Sequence, residues 1–315
     1  MEVIQSLLTK LLPIIIALAL GAAIRKTSLL DVKGIAALKT AVTRVTLPFV
    51  IFQAFYKVEY QLDTFITAVT VLLICLMLFA LGFLLKKSMK NLTSLLPFTL
   101  AGFEMGMLGF PLFLLLAGQE NMGSIAVADL GQEVFVFTIY LFMLRRQTGG
   151  EQSLQDSVRE TVKNPVIIAV ALGLLAGISG LGRLITGTLA GEVTEAVCGF
   201  ISAPTAVLIL LSIGYDLKLE RRLLKRAGLA MLLRAAAVLL IGGGLTLLLF
   251  QIIPYDPWLL LAILTMLVLP APFVLPVYSQ SREEARFVSM FLSLSTLLFV
   301  LLFAVLLGIK PLIVG

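Results

Sequence analysis

Ten stretches of mainly apolar sequence follow one another along the whole chain, at roughly 4–24, 35–56, 63–85, 93–117, 123–144, 164–186, 192–214, 228–250, 257–278 and 287–308. Each has about the 20 residues a helix needs to cross about 30 Å of hydrocarbon. The residues are 60% hydrophobic and 13% charged, with a mean hydropathy of +1.08, which no soluble domain of this length shares. The longest polar stretch, Arg145 to Asn164, is too short to fold alone. The fold class expected is an all-α polytopic membrane protein of ten transmembrane helices, with no separate soluble domain.

The first and sixth stretches are related. Residues 13–21 read Pro-Ile-Ile-Ile-Ala-Leu-Ala-Leu-Gly and residues 165–173 read Pro-Val-Ile-Ile-Ala-Val-Ala-Leu-Gly, seven of nine identical at an offset of 152. A duplication near half the chain length marks a protein built from two repeats, 1–149 and 150–315. Five spans per repeat is an odd number, so the second repeat enters the membrane from the opposite side and the repeats are inverted. The duplication also argues against reading Met1 to Ala23 as a cleaved signal peptide, since cleavage would remove one copy.

The net charge of +6 is distributed as a topology signal, not as a nucleic-acid surface. Arg25, Lys26, Lys33 and Lys39 flank the first turn; Lys86, Lys87 and Lys90 the third; Arg145, Arg146, Arg159 and Lys163 the fifth. Lys218, Arg221, Arg222, Lys225 and Arg226 lie in the seventh, and Arg282 and Arg286 in the ninth. The opposite side carries Lys10, Lys57, Arg183 and Lys310. By the positive-inside rule both termini lie on the non-cytoplasmic side of a plasma (inner) membrane. Cys75 and Cys198 fall inside spans and read as apolar packing residues. With no histidine, His-based zinc sites, Ser-His dyads and histidine proton relays are excluded. No cofactor or metal is expected.

Two spans are interrupted at corresponding places. Span four carries Glu104-Met-Gly106-Met-Leu-Gly109-Phe-Pro111, and span nine carries Pro270-Ala271-Pro272-Phe-Val-Leu-Pro276. Glycine frees the backbone; proline lacks a donor and clashes with the preceding turn. Broken helices at membrane depth persist only where protein or a water-filled cavity satisfies their backbone, and a matched pair of them points to a transport site. Glu104, Gly106, Gly109, Pro111, Pro270, Ala271 and Pro272 are therefore the candidate substrate site. Pro48 and Pro204, isolated in spans two and seven, read as bends in scaffold helices.

Intramembrane charge is costly and faces the protein interior. Glu104 and the stripe Asp129, Gln132, Glu133 on span five are the candidate coupling groups. Burial disfavours a charged carboxylate, so such a group can take up and release a proton as access alternates. The plain alternative is structural, with Arg44 neutralising one carboxylate. Sodium remains open as the coupling ion, because the same oxygens are ligands of the kind it takes. Arg234, nearer the end of span eight, reads as a snorkelling residue.

The Gly106-x-x-Gly109-x-Pro111 crossover and Leu47-Pro48-Phe-Val-Ile-Phe52 resemble the auxin efflux carrier family. So do Lys163-Asn164-Pro165, Leu211-Ser-Ile-Gly214 and the proline-rich span nine. The family includes plant auxin carriers and bacterial permeases for small organic acids. The resemblance implies the fold of the bile-acid sodium symporter superfamily. Spans 1, 2, 6 and 7 would form a scaffold, often a homodimer. Spans 3–5 and 8–10 would form a transport domain, with four and nine crossing at its centre. It implies elevator-type transport of a small organic anion. One departure stands out: the family's crossover begins with asparagine where this chain has Glu104. Either Glu104 is protonated when the anion binds, or the substrate is not a simple anion. Alternatives left open are a sodium-coupled carrier of a non-anionic solute and a channel or receptor of the same fold. An intramembrane aspartyl protease is disfavoured, because Tyr215-Asp216 has no Gly-x-Gly-Asp partner. With no phosphate-binding loop and no soluble nucleotide domain, the chain is not expected to hydrolyse ATP itself, and a carrier, not an enzyme, is expected.

Overall fold

In the computed structural model, residues 7–27, 29–89, 92–147 and 162–314 are described. Lys90 and Arg159 of the loop-charge pattern, the start of the first span and most of the Arg145–Asn164 stretch lie outside them. The described residues are helical throughout, with no strand. In chain order the principal helices are α1 (Leu12–Ile24), α2 (Val32–Phe55), α3 (Leu62–Ser88), α4 (Leu96–Leu100), α5 (Phe110–Ala117) and α6 (Gln119–Gln147). They continue as α7 (Pro165–Ile178), α8 (Leu189–Ser202), α9 (Thr205–Asp216), α10 (Leu224–Ile252), α11 (Pro257–Val268) and α12 (Arg282–Val314). Among the described residues, seven helical segments are long and apolar enough to span a membrane; three further apolar helices are shorter, at Leu8–Ile24, Pro165–Ile178 and Pro257–Val268.

Local sequence accounts for the helix boundaries. Asn164 caps α7 by accepting the Val166 N–H at 3.0 Å, with Pro165 in the first turn. Asp256 caps α11 in the same way, accepting from Trp258 at 2.8 Å and Leu259 at 3.2 Å ahead of Pro257. Asp31 caps the start of α2 through the Gly34 N–H at 2.7 Å.

Three prolines do not break their helices. Pro13, Pro48 and Pro111 each follow a π turn, at Leu7–Leu11, Val42–Thr46 and Met105–Gly109 respectively. A proline ring clashes with the carbonyl four residues earlier, and here that carbonyl belongs to the π turn. The wider turn moves it away. Pro48 is therefore accommodated, while Pro204 lies at the interruption between α8 and α9.

The chain divides into two compact units. The first comprises Met1–Thr64, Gly106–Val127 and Leu154–Asp216. Its helices touch through glycines: a Cβ on Gly21 of α1 would lie 2.1 Å from the Leu211 carbonyl oxygen of α9, and one on Gly214 would lie 2.1 Å from Leu18 O. A Cβ on Gly173 of α7 would lie 2.6 Å from Phe55 Cβ of α2. Gly21 and Gly173 are the closing residues of the duplicated nonapeptide, and each is a helix-crossing point. Lys39 pairs with Asp216, Lys57 with Glu195 and Arg183 with Glu59 in this unit. A cavity of about 360 Å³ is lined by Gln53, Tyr56, Lys57, Gln119, Glu120 and Glu195. Burial works against the charge of Lys57, but its bonds to Glu195 and Tyr56 outweigh that and hold its pKa above that of an ordinary lysine.

The second unit comprises Phe65–Met105, Ala128–Ser153 and Leu217–Gly315. Here too glycines set close approaches: a Cβ on Gly82 of α3 would lie 2.4 Å from Pro97 Cα, and one on Gly131 of α6 would lie 2.0 Å from Ala68 O of α3. Phe79, Phe98, Phe135 and Tyr140 form an edge-to-face cluster behind α4. Cys75 and Cys198 are both free and buried.

Candidate functional site

The second unit contains two helices that stop short. After five residues α4 ends at Ala101, whose backbone is extended, and Gly102 has φ +72°. The chain stays non-helical to Glu104. The other helix, α11, ends at Val268, and Pro270 to Val274 stays non-helical until the 3-10 turn Leu275–Tyr278. The two interruptions cross. The Glu104 N–H donates to Pro270 O at 2.9 Å, and the Phe273 N–H donates to Glu104 Oε2 at 2.5 Å. A Cβ on Gly102 would lie 3.2 Å from Pro272 Cγ, so the crossing needs both the left-handed backbone and the missing side chain there.

This relocates the break in span four. The sequence points to Gly106–Pro111, yet those residues form a continuous turn-and-helix from Met105 to Ala117. The interruption is Ala101–Glu104, with Gly102 as its pivot. The π turn ahead of Pro111 is the reason: it removes the clash that would otherwise end the helix.

Each stopped helix leaves carbonyls without helical partners. Arg234 of α10 meets them. Its Nη1 donates to Thr99 O at 3.0 Å and Leu100 O at 2.8 Å, and its Nη2 to Gly102 O at 2.7 Å and Leu269 O at 3.3 Å. The guanidinium also lies over the Phe103 ring, 5.0 Å from its centre. Arg234 is 5% exposed, so the snorkelling reading is overturned. The physical reason lies in the breaks: helix C-termini carry partial negative charge and have no water to turn to, so a rigid five-donor fork is stabilised inward. A buried arginine on a neighbouring span was the available signal.

From α6, Gln132 Nε2 donates to Phe103 O at 2.9 Å and to Asp129 Oδ1 at 3.3 Å. Tyr140 donates to Phe98 O at 3.0 Å. Asp129 is fully buried and Gln132 nearly so. Glu104, Pro270, Ala271, Pro272, Asp129, Gln132 and Glu133 thus all belong to the second unit.

Gly106, Gly109, Pro111, Pro48 and Pro204 belong to the first unit. There a Cβ on Gly106 would lie 3.4 Å from Leu47 Cδ2, beside Pro48, and Phe110 packs on Phe55 with ring centres 6.2 Å apart. Arg44 is exposed. Asp216 is exposed and ion-paired with Lys39, an arrangement unlike that of a catalytic aspartate.

A helical membrane chain in which two interrupted helices cross, with their carbonyl ends gathered on a buried arginine, has the build of a membrane transporter. The sequence profile of the membrane transport protein family matches residues 6–307, and the chain belongs to that family, which includes the auxin efflux carriers. Members are transporters, not enzymes, and the chain is an integral membrane protein. No curated protein matches the sequence significantly.

Proposed function

We propose that the protein is a secondary active carrier that moves a small organic anion across the plasma membrane by elevator-type alternating access. The observation that carries this reading is the crossing of Ala101–Glu104 with Pro270–Phe273. Its backbone already binds one carboxylate, that of Glu104, through the Phe273 N–H. A substrate carboxylate finds the same kind of donor at the ends of the half-helices. Glu104 and Pro270–Pro272 would contact it, and Arg234 would hold the two interruptions in register.

Spans 1, 2, 6 and 7 fall in the first compact unit and spans 3, 8, 9 and 10 in the second, which supports a scaffold and a moving body, although Gly106–Val127 of spans four and five groups with the first unit. Within the first unit the duplicated glycines support inverted repeats. Gly21 of span one packs on span seven and Gly173 of span six packs on span two, as repeat exchange requires. In this reading the termini lie on the non-cytoplasmic side and the scaffold forms a homodimer.

Ligands that bind only the folded state raise its melting temperature. The purified protein is expected to be stabilised by small mono- or dicarboxylates or indole acids, more at pH 5 than at pH 8. Stabilisation by amino acids or cations alone, with no response to carboxylates, would remove the anion assignment.

A further inference from the structure

The stripe Asp129, Gln132, Glu133 has more acceptors than donors. Asp129 Oδ2, Gln132 Oε1 and Glu133 Oε2 are enclosed and accept no hydrogen bond from the described residues. Asp129 and Gln132 are 0% and 3% exposed, so neither can turn to solvent. α3 packs against another side of α6, at Gly131, while the stripe itself reaches the crossing through the Gln132 amide on Phe103 O. The carboxyl groups of Asp129 and Glu133, one helical turn apart, lie within hydrogen-bonding reach of each other. Two carboxylate oxygens can make that contact only with a proton or a cation between them.

The surroundings decide little of the balance. Cys75 of α3 is within electrostatic range of both Asp129 and Arg234. Arg234 is spent on four carbonyls, and Glu104 Oε2 on the Phe273 N–H. Among the described residues neither Asp129 nor Glu133 forms an ion pair. A proton from solvent can supply the charge the pair lacks.

We propose that Asp129 and Glu133 hold one exchangeable proton between them, and that Gln132 passes its presence to the crossing. This deepens the carrier reading, on which it rests, by naming the coupling group, and it moves that role from Glu104 to span five. On loading, a proton from water on one side forms an O–H bond on one carboxyl. The acid then donates to its neighbour or to Gln132 Oε1. Gln132 is free to keep Nε2 on Phe103 O, and the crossing is held. On release, the O–H bond breaks to water on the other side. Two bare carboxylates then draw the Gln132 amide N–H groups toward themselves, and Phe103 O loses its donor.

Two measurements test this. The first needs no substrate. Infrared difference spectra of the wild-type protein between pH 5 and pH 8 are expected to show the C=O stretch of a buried protonated carboxyl, lost in Glu133→Gln and in Asp129→Asn. No such band in the wild type overturns the proposal, whether or not the variants fold. The second uses proteoliposomes and labelled malate and indole-3-acetate as probes. Glu133→Gln is expected to keep counterflow exchange at equal pH while losing accumulation driven by a pH gradient at least tenfold. Full pH-driven accumulation in Glu133→Gln overturns the proposal, as does accumulation driven by a sodium gradient at constant pH. If the wild type shows the band but exchanges no organic acid, the carrier reading falls and the proton site stands.

Discussion

Replacing Arg234 by methionine removes the donors from four carbonyls at once while keeping much of the side-chain volume. Hydrogen bonds inside membrane proteins contribute about 0.6–1 kcal/mol each. Four of them amount to about 2–4 kcal/mol for the contacts to Thr99, Leu100, Gly102 and Leu269. Two further effects oppose each other. The variant no longer buries a guanidinium, which is favourable. The abandoned carbonyls have no water to turn to, which is unfavourable. We expect a net loss of about 2–4 kcal/mol, or roughly 4–16 °C in melting temperature at about 2–4 °C per kcal/mol. Arg234→Lys keeps the charge but not the planar fork, so it should recover about half of that loss. Melting in detergent gives the stability, and counterflow in proteoliposomes gives the transport. Transport is expected to fall in Arg234→Met even at temperatures where the protein is fully folded, because the crossing loses its register. A variant that melts and transports like the wild type would refute the idea that Arg234 holds the two interruptions together.

Other consequences follow from the same geometry. Glu104→Gln keeps an oxygen for the Phe273 N–H but removes a negative charge from the anion's path; we expect a lower KM for the transported acid with pH-driven accumulation intact, and accumulation lost with exchange intact would return the coupling role to Glu104. Gly21→Ala drives a Cβ to 2.1 Å from a backbone carbonyl, whereas Gly173→Ala meets the Phe55 Cβ at 2.6 Å. Both should lower the melting temperature, because neither a carbonyl nor a Cβ can move without its backbone, and Gly21→Ala by more because its overlap is deeper; equal tolerance of the two would contradict the close packing of α1 on α9.

What the sequence makes legible follows from strong local chemistry. Apolar length gives the helices, and Asn164-Pro165 and Asp256-Pro257 give their starts. Three prolines within seven residues leave span nine no way to stay helical between Pro270 and Pro276. Span four is harder because Pro111 looks like a breaker and is not one. Its effect depends on the turn before it, and the π turn at Met105–Gly109 absorbs the clash. The true pivot, Gly102, is an ordinary glycine in an apolar run, and only its neighbour Pro272 from a distant segment makes its missing side chain matter. Arg234 is misread for a related reason. Whether a long cation turns outward to water or inward to carbonyls depends on where orphan carbonyls lie, and those belong to α4 and α11, not to its own helix. The polar stripe on α6 follows from helical spacing alone, but its unmet acceptors appear only once the helix is packed and water is shut out.

The carrier reading itself is tested most directly by counterflow: proteoliposomes loaded with an unlabelled organic acid and diluted into a trace of the labelled one. Transient, saturable accumulation of label that disappears when the internal acid is omitted is expected. Uptake that rises linearly with concentration and ignores the internal acid would identify a channel, and no uptake of any carboxylate would contradict the account at its centre.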